Sequence, residues 1–158
     1  MNIEQQKNEN IADKKFYLRY FCFFVFLYSV DRLSKLFFVN NPDYFKNFYL
    51  FQLSFSINKN IAFSLAVPSV IIFLLVLGTL VFLFYLLIKN YRKNNFSFVF
   101  FLSLIIIGAL SNLFDRIKFG WVIDFIYVPH FTVFNFADIY ITFGVVLWLW
   151  NERRTRKQ

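Results

Sequence analysis

Two aspartates, Asp124 in Val122-Ile123-Asp124-Phe125 and Asp138 in Phe134-Asn135-Phe136-Ala137-Asp138, stand alone in apolar sequence. A third acid, Asp115, closes the run Asn112-Leu113-Phe114-Asp115-Arg116. A carboxylate in hydrocarbon costs several kcal/mol or more, so acids flanked by Phe, Ile and Val mark a functional site by default. Two carboxyls sharing a water suffice for amide hydrolysis. Like charges in contact do not both ionise, so one serves as base toward the water while the other stays protonated as acid. Their titration belongs to the pair and not to either residue. Spacing alone leaves open the alternative in which Asp124 and Asp138 each cap or pair locally.

The other polar residues carry weaker signals. Asp31 and Lys35, four apart, read as a stabilising helix pair. Asp115 and Arg116, adjacent and opposite in sign, read as neutralising nearby partners. His130, the one histidine, follows Pro129 in a loop and reads as exposed or structural. Ser34 with Lys35, and Ser56 with Lys59, have the residue types of a serine/lysine hydrolase but no supporting context. The outward acids with His130 place no three ligands together for a hard cation, so no metal and no cofactor is expected. Cys22 is the only cysteine, which excludes an intramolecular disulfide and a cysteine-based metal site.

These residues need apolar elements to position them, and the composition supplies little else. Of 158 residues 59% are hydrophobic, 24% aromatic and 16% charged, too apolar for a soluble domain. Residues 67–88 and 96–114 carry no charge and match the roughly 20 residues that span hydrocarbon. A third span is expected over 16–38, continuing helically through Asp31, Arg32 and Lys35. The apolar run from Ile139 to Trp150 covers only about 18 Å at ~1.5 Å per residue, so a fourth span is expected to borrow residues and run over 131–150. The first span lacks a small-residue cleavage site and reads as a retained anchor. The expected fold is an all-α integral membrane protein, four transmembrane helices with a small extracytoplasmic β-sheet platform, forming one membrane-embedded domain over 1–158.

Basic residues near span ends stay cytoplasmic. Lys7, Lys14, Lys15 and Arg19, then Lys89, Arg92 and Lys93, then Arg153, Arg154, Arg156 and Lys157 make 11 of the 17 basic residues, all on one side. Both termini are therefore expected in the cytoplasm. Asp31, Asp43, Asp115, Asp124 and Asp138 fall on the outer side. This topology accounts for the net charge of +8, so no nucleic-acid partner is expected.

The platform is expected over 48–65. From Phe51 to Asn58 apolar and polar side chains alternate, the period of a half-buried strand with Phe51, Leu53, Phe55 and Ile57 on one face. Ile61 to Leu65 is expected to pair back on it through Asn58-Lys59-Asn60. Such a sheet can hold an extended peptide by backbone hydrogen bonds; a merely structural hairpin fits equally well. Pro68 suits the first turn of the second span. Between the third and fourth spans, Gly120 signals a turn and Val122 to Val128 reads as strand-like apart from Asp124. Trp121 and Tyr127 suit the headgroup zone.

Ser111-Asn112-Leu113-Phe114-Asp115-Arg116, Val122-Ile123-Asp124-Phe125 and Phe134-Asn135-Phe136-Ala137-Asp138 resemble the signature blocks of bacterial lipoprotein signal peptidase, or signal peptidase II. Asp31 with Lys35, and Asn58 to Phe63, agree in order, so the resemblance covers Phe16 to Trp150. It implies an intramembrane aspartic endopeptidase of the bacterial inner membrane, active at the outer face. Such an enzyme removes the signal peptide of prolipoproteins on the amino side of a diacylglyceryl-cysteine. By that matching Asp124 and Asp138 are the catalytic pair. Asn58, Asn112, Arg116 and Asn135 line the substrate site, and Asp115, Asp31 and Lys35 support it. The expected partners are prolipoproteins and membrane lipid, and the chain is expected to be monomeric. The family usually has glycine where this chain has Asn60, Ile107 and Ser111. Asn60 tolerates a left-handed turn and Ser111 keeps close helix packing, whereas the branched Ile107 is expected to push neighbouring helices apart. The rival from another class is a small proton-coupled transporter or channel component whose intramembrane aspartates relay protons.

Overall fold

The computed structural model describes the backbone over residues 3–59 and 68–155, with side chains over 17–59, 68 and 70–154. It is mostly helical with one small antiparallel sheet. In chain order the elements are α1 (Ile3–Asn40), β1 (Phe45–Asn47), β2 (Gln52–Asn58), α2 (Ser69–Arg92), α3 (Phe96–Phe119), β3 (Val122–Val128), β4 (Thr132–Phe134) and α4 (Phe136–Thr155). Among the described residues two helices are long and apolar enough to cross a membrane, Val70–Arg92 and Phe96–Phe119. α2 leaves Val70, Leu74, Val81 and Phe82 exposed. An apolar surface of that extent needs a nonaqueous neighbour.

α3 is the organising helix. Its first turn is capped by Asn95, whose side chain accepts from the Phe98 N–H. It stops at Gly120, which takes the left-handed φ of 82° that a side chain disfavours. Leu102, Ile105, Ile106 and Leu113 pack with Leu80 and Leu83 of α2 to form the core. Toward α4 the contact is closer still. A Cβ on Gly108 would run into the Ala137 carbonyl oxygen, and one on Gly144 would lie 2.8 Å from the Phe101 carbonyl oxygen. Ile107 is half-buried, and the tight approach is made by its neighbour Gly108. α1 joins through the Tyr20 hydroxyl, which donates to Ser103 Oγ at 2.8 Å.

The sheet runs in the order β1-β2-β3-β4, with every neighbouring pair antiparallel. β2 forms over the alternating stretch, but its described partners are β1 and β3. Ile61 to Leu65, expected to pair with it, lie outside the described residues, as do Asn60 and the rest of the block to Phe63. The single expected apolar face also needs correcting. Leu53 pairs with Ile126 and Ser56 with Asp124, so β2 carries one extra residue between them. Such a bulge reverses the facing of everything beyond it. Ile57 consequently faces away from Leu53, opposite Ile123, while Ser56 and Asn58 turn to the face that carries Asp124.

α4 begins at Phe136, later than the expected Phe131, because Thr132 to Phe134 pair with Val128 to Ile126 as β4. It gains its length at the other end, reaching Thr155. Asp138 therefore lies in its first turn.

Candidate active site

Asp138 is held by the way α4 starts. Asn135 precedes the helix and its Oδ1 accepts the Asp138 N–H at 3.0 Å, while the Asn135 N–H donates to Asp138 Oδ2 at 3.2 Å. This reciprocal capping box satisfies two N–H groups of the helix start and fixes the carboxylate at its positive end. The pattern Asn-x-x-Asp was legible in the sequence, but a helix begun at Phe131 hides it. The other carboxylate oxygen, Oδ1, accepts from Asn112 Nδ2 of α3 at 2.8 Å.

Asp124 lies on β3 and is 1% exposed. Its Oδ2 accepts from Asn58 Nδ2 at 2.9 Å, a contact that exists because the bulge turned Asn58 to this face. Its Oδ1 accepts from Asn135 Nδ2 at 2.7 Å. One residue thus holds both acids, Asn135 touching Asp124 through its side chain and Asp138 through its backbone. Burial first, and the like charge of Asp138 second, push the Asp124 carboxyl up to about 6, against the hydrogen bonds from Asn58 and Asn135 and the charge of Lys35. A buried acid displaced upward beside a second carboxylate is the setting in which one group keeps its proton while the other acts as base.

Beside the pair is a second polar cluster, in which Asp31, Lys35 and Asp115 are all 0% exposed. Lys35 Nζ lies 3.0 Å from Asp31 Oδ2, 2.9 Å from Asp115 Oδ2 and 2.7 Å from Asn112 Oδ1. Arg32 pairs with Asp115 Oδ1 at 2.6 Å and donates to the carbonyl and hydroxyl oxygens of Ser111. Asp31 Oδ1 accepts the Ala137 N–H at 2.9 Å, so an acid on α1 caps the helix that carries Asp138. The expected i, i+4 pair of Asp31 and Lys35 is present, but each partner also reaches another helix. Asp115 finds its cations on α1.

The structure brings Asn58, Asn112, Asn135, Asp124 and Asp138 into one network and Asp31, Lys35 and Asp115 into the adjoining one. Arg116, half-buried, is within electrostatic reach of Asp115, Asp124 and Asp138. Arg32 and Ser111 were not singled out as site residues. Arg32 read as one more outer-side charge and Ser111 as a small packing residue, and nothing local to either predicts their meeting. His130 is exposed in the β3–β4 turn at a φ of 63°.

Spanning-length apolar helices, with a buried aspartate and a half-buried one tied through one asparagine, define a helical membrane protein whose carboxyl pair has the geometry that acid–base chemistry needs. The comparisons with known proteins narrow that class. The model of the family described as Signal peptidase (SPase) II matches residues 23–153. A lipoprotein signal peptidase of Wigglesworthia glossinidia brevipalpis is 35% identical, the match covering 80% of this chain and 89% of the relative. Another, of Caldicellulosiruptor bescii, is 39% identical over 76% of this chain and 81% of its own length. A solved bacterial membrane enzyme superposes with a TM-score of 0.72 at 25% identity, covering 83% of this chain and 85% of its own. The chain belongs to the signal peptidase II family.

Proposed function

We propose that this chain is an intramembrane aspartic endopeptidase that removes the signal peptide from diacylglyceryl-modified prolipoproteins, cutting on the amino side of the lipidated cysteine. The observation that carries the reading is Asn135, which donates to Asp124 and to Asp138 at once and so makes a working pair of two acids 14 positions apart. In the resting pair one carboxyl holds a proton. The ionised partner takes a proton from water as that water attacks the scissile carbonyl, and the protonated partner gives its proton to the developing oxyanion. As the C–N bond breaks, the first carboxyl passes the proton from water to the leaving amine and the second takes one back from a hydroxyl of the intermediate, which restores the starting pair. Asn58, Asn112 and Asn135 orient the pair and, with Arg116, offer hydrogen bonds to the peptide. Asp31, Lys35 and Asp115 support the site from behind.

In this reading α1 and α4 cross the membrane with α2 and α3, making four spans and one membrane-embedded domain in the bacterial inner membrane. The basic clusters keep both termini cytoplasmic, and the sheet lies at the outer face as a platform for the extended segment of substrate. The diacylglyceryl group remains in the bilayer and fixes the depth of the cysteine, which turns positioning of the scissile bond into a nearly intramolecular problem. The chain works on prolipoprotein and lipid as a monomer and requires no nucleic acid.

The test is cleavage of a diacylated prolipoprotein by purified protein in detergent. Asp124→Asn and Asp138→Asn are each expected to lower turnover by roughly a thousandfold or more, the scale of removing a positioned acid or base. Undiminished cleavage by either variant removes the mechanism. Cleavage absent even in wild type, with proton flux through proteoliposomes that Asp138→Asn abolishes, favours the transporter reading.

A further inference from the structure

We propose that Lys35 is a positioning residue for the aspartate pair: held in one place by Asp31 and Asp115, its ammonium takes the side-chain oxygen of Asn112 and obliges the amide nitrogen to face Asp138. The inference rests on the peptidase reading above and adds to it a reason why a buried lysine belongs beside the pair.

An asparagine side chain is nearly symmetric in shape but not in hydrogen bonding, since one end accepts and the other donates. Asn112 stands between Lys35, which only donates, and the ionised form of Asp138, which only accepts. In the observed orientation Lys35 Nζ donates to Oδ1 at 2.7 Å and Nδ2 donates to Asp138 Oδ1 at 2.8 Å. Turned over, the amide would set its N–H groups against the ammonium and its oxygen against the carboxylate. Both bonds would be lost and two repulsive contacts would replace them. Without Lys35 the remaining donor to Asn112 Oδ1 is Asn135 Nδ2 at 3.2 Å, a nitrogen that lies closer to Asp124.

The lock requires an ammonium that does not wander. Its three protons have three acceptors, one on its own helix and two on α3. The cluster also brings no net charge to the pair, because Asp31 and Asp115 balance Arg32 and Lys35. Among the described residues the charged groups that act on the pair are thus Asp31 and Lys35 from α1 and Arg116 from α3. β2 contributes the neutral Asn58. Lys35 opposes the upward displacement of Asp124, so its removal has a signature that a merely misfolded fraction does not produce.

The experiment measures kcat/KM for the diacylated prolipoprotein across pH. Lys35→Met is expected to reduce it about 10- to 100-fold, the scale of one hydrogen bond to a charged group, and to move the acidic limb of the profile to higher pH. Lys35→Arg restores the charge and returns the limb toward wild type. The charge-balanced double variant Lys35→Met/Asp115→Asn reproduces the displaced limb. Asn112→Asp leaves Lys35 its three partners but turns an acceptor on Asp138, and is expected to lose about 100-fold on the same scale. An unmoved limb in folded Lys35→Met or in the folded double variant overturns the inference, as does Asn112→Asp cleaving at wild-type efficiency. If neither Lys35 variant folds, the Asn112→Asp result decides. An inactive wild type strikes the peptidase reading and this inference with it, whereas an active wild type matched by its variants strikes the inference alone.

Discussion

The two polar clusters lie side by side and solve the problem of buried charge in opposite ways. In the α1–α3 cluster every charge meets its opposite: Lys35 touches Asp31 and Asp115, and Arg32 touches Asp115. In the Asp124–Asp138 pair the direct partners are neutral amides and one backbone N–H, from Asn58, Asn112 and Asn135. Neutral donors orient a carboxylate without neutralising it. Ion pairing holds a site rigid but leaves its acids with nothing to do, since a carboxylate tied to a cation is a poor base and carries no proton to give. In the proposed mechanism the pair stays reactive because Lys35 stands one residue away, behind Asn112.

If the first cluster is structural, breaking it should cost stability before chemistry. Asp115→Leu leaves Arg32 and Lys35 facing an apolar side chain, and loss of one partner from a buried ion pair costs about 3–5 kcal/mol. Thermal unfolding in detergent is expected to show that loss, while the folded fraction still cleaves. Full stability with lost turnover would reverse the assignment of the two regions.

Gly108→Ala acts at the joint between them. The added methyl meets the carbonyl of Ala137, the residue whose N–H is held by Asp31 and which precedes Asp138. Overpacking of this kind costs about 1–3 kcal/mol, and the displaced α4 start is expected to lower turnover as well. Separate measurement of folded fraction and kcat distinguishes the two effects.

The pH dependence of stability sharpens the contrast further. Asp124 is raised to about 6 from an ordinary carboxylate value, so the folded protein binds its proton more tightly than the unfolded chain does. This group therefore costs nothing while both states are protonated. Its cost grows as the pH climbs from the ordinary carboxylate range through about 6 and is complete above that. Wild-type stability is expected to fall over that window, and the slope to be flatter in Asp124→Asn. An unchanged slope would show that the group is not displaced in the folded protein.

The smallest effect is expected outside both clusters. His130 adopts a left-handed backbone in an exposed turn, and glycine adopts it without strain. His130→Gly is expected to shift stability by no more than about 1 kcal/mol and to leave cleavage unchanged. A change in kcat would bring the histidine into the site.

Much of the fold could be read along the chain. From Ser69 on the uncharged run 67–88 lies within α2, the run 96–114 lies within α3, and the alternation after Phe51 lies within β2. Less was legible where two patterns overlapped: the apolar residues before Asp138 suit a strand as well as a helix, and pairing with β3 decided for the strand up to Phe134. The acids themselves stood out because charge in apolar sequence is rare.

Residue identity alone determined that Asp124 and Asp138 are the acids to consider, that Asn58, Asn112 and Asn135 accompany them, and that the chain resembles signal peptidase II. Those are properties of composition, short-range order and local period. Tertiary structure decided which atoms meet. The bulge in β2 turns Asn58 toward Asp124, Asp31 caps a helix 106 positions away, and Lys35 reaches Asn112 and Asp115 across the α1–α3 contact. A local pattern tells a side chain which face of its own helix or strand it occupies. Which partner waits there depends on register and helix approach, and those are set by the packing of the whole.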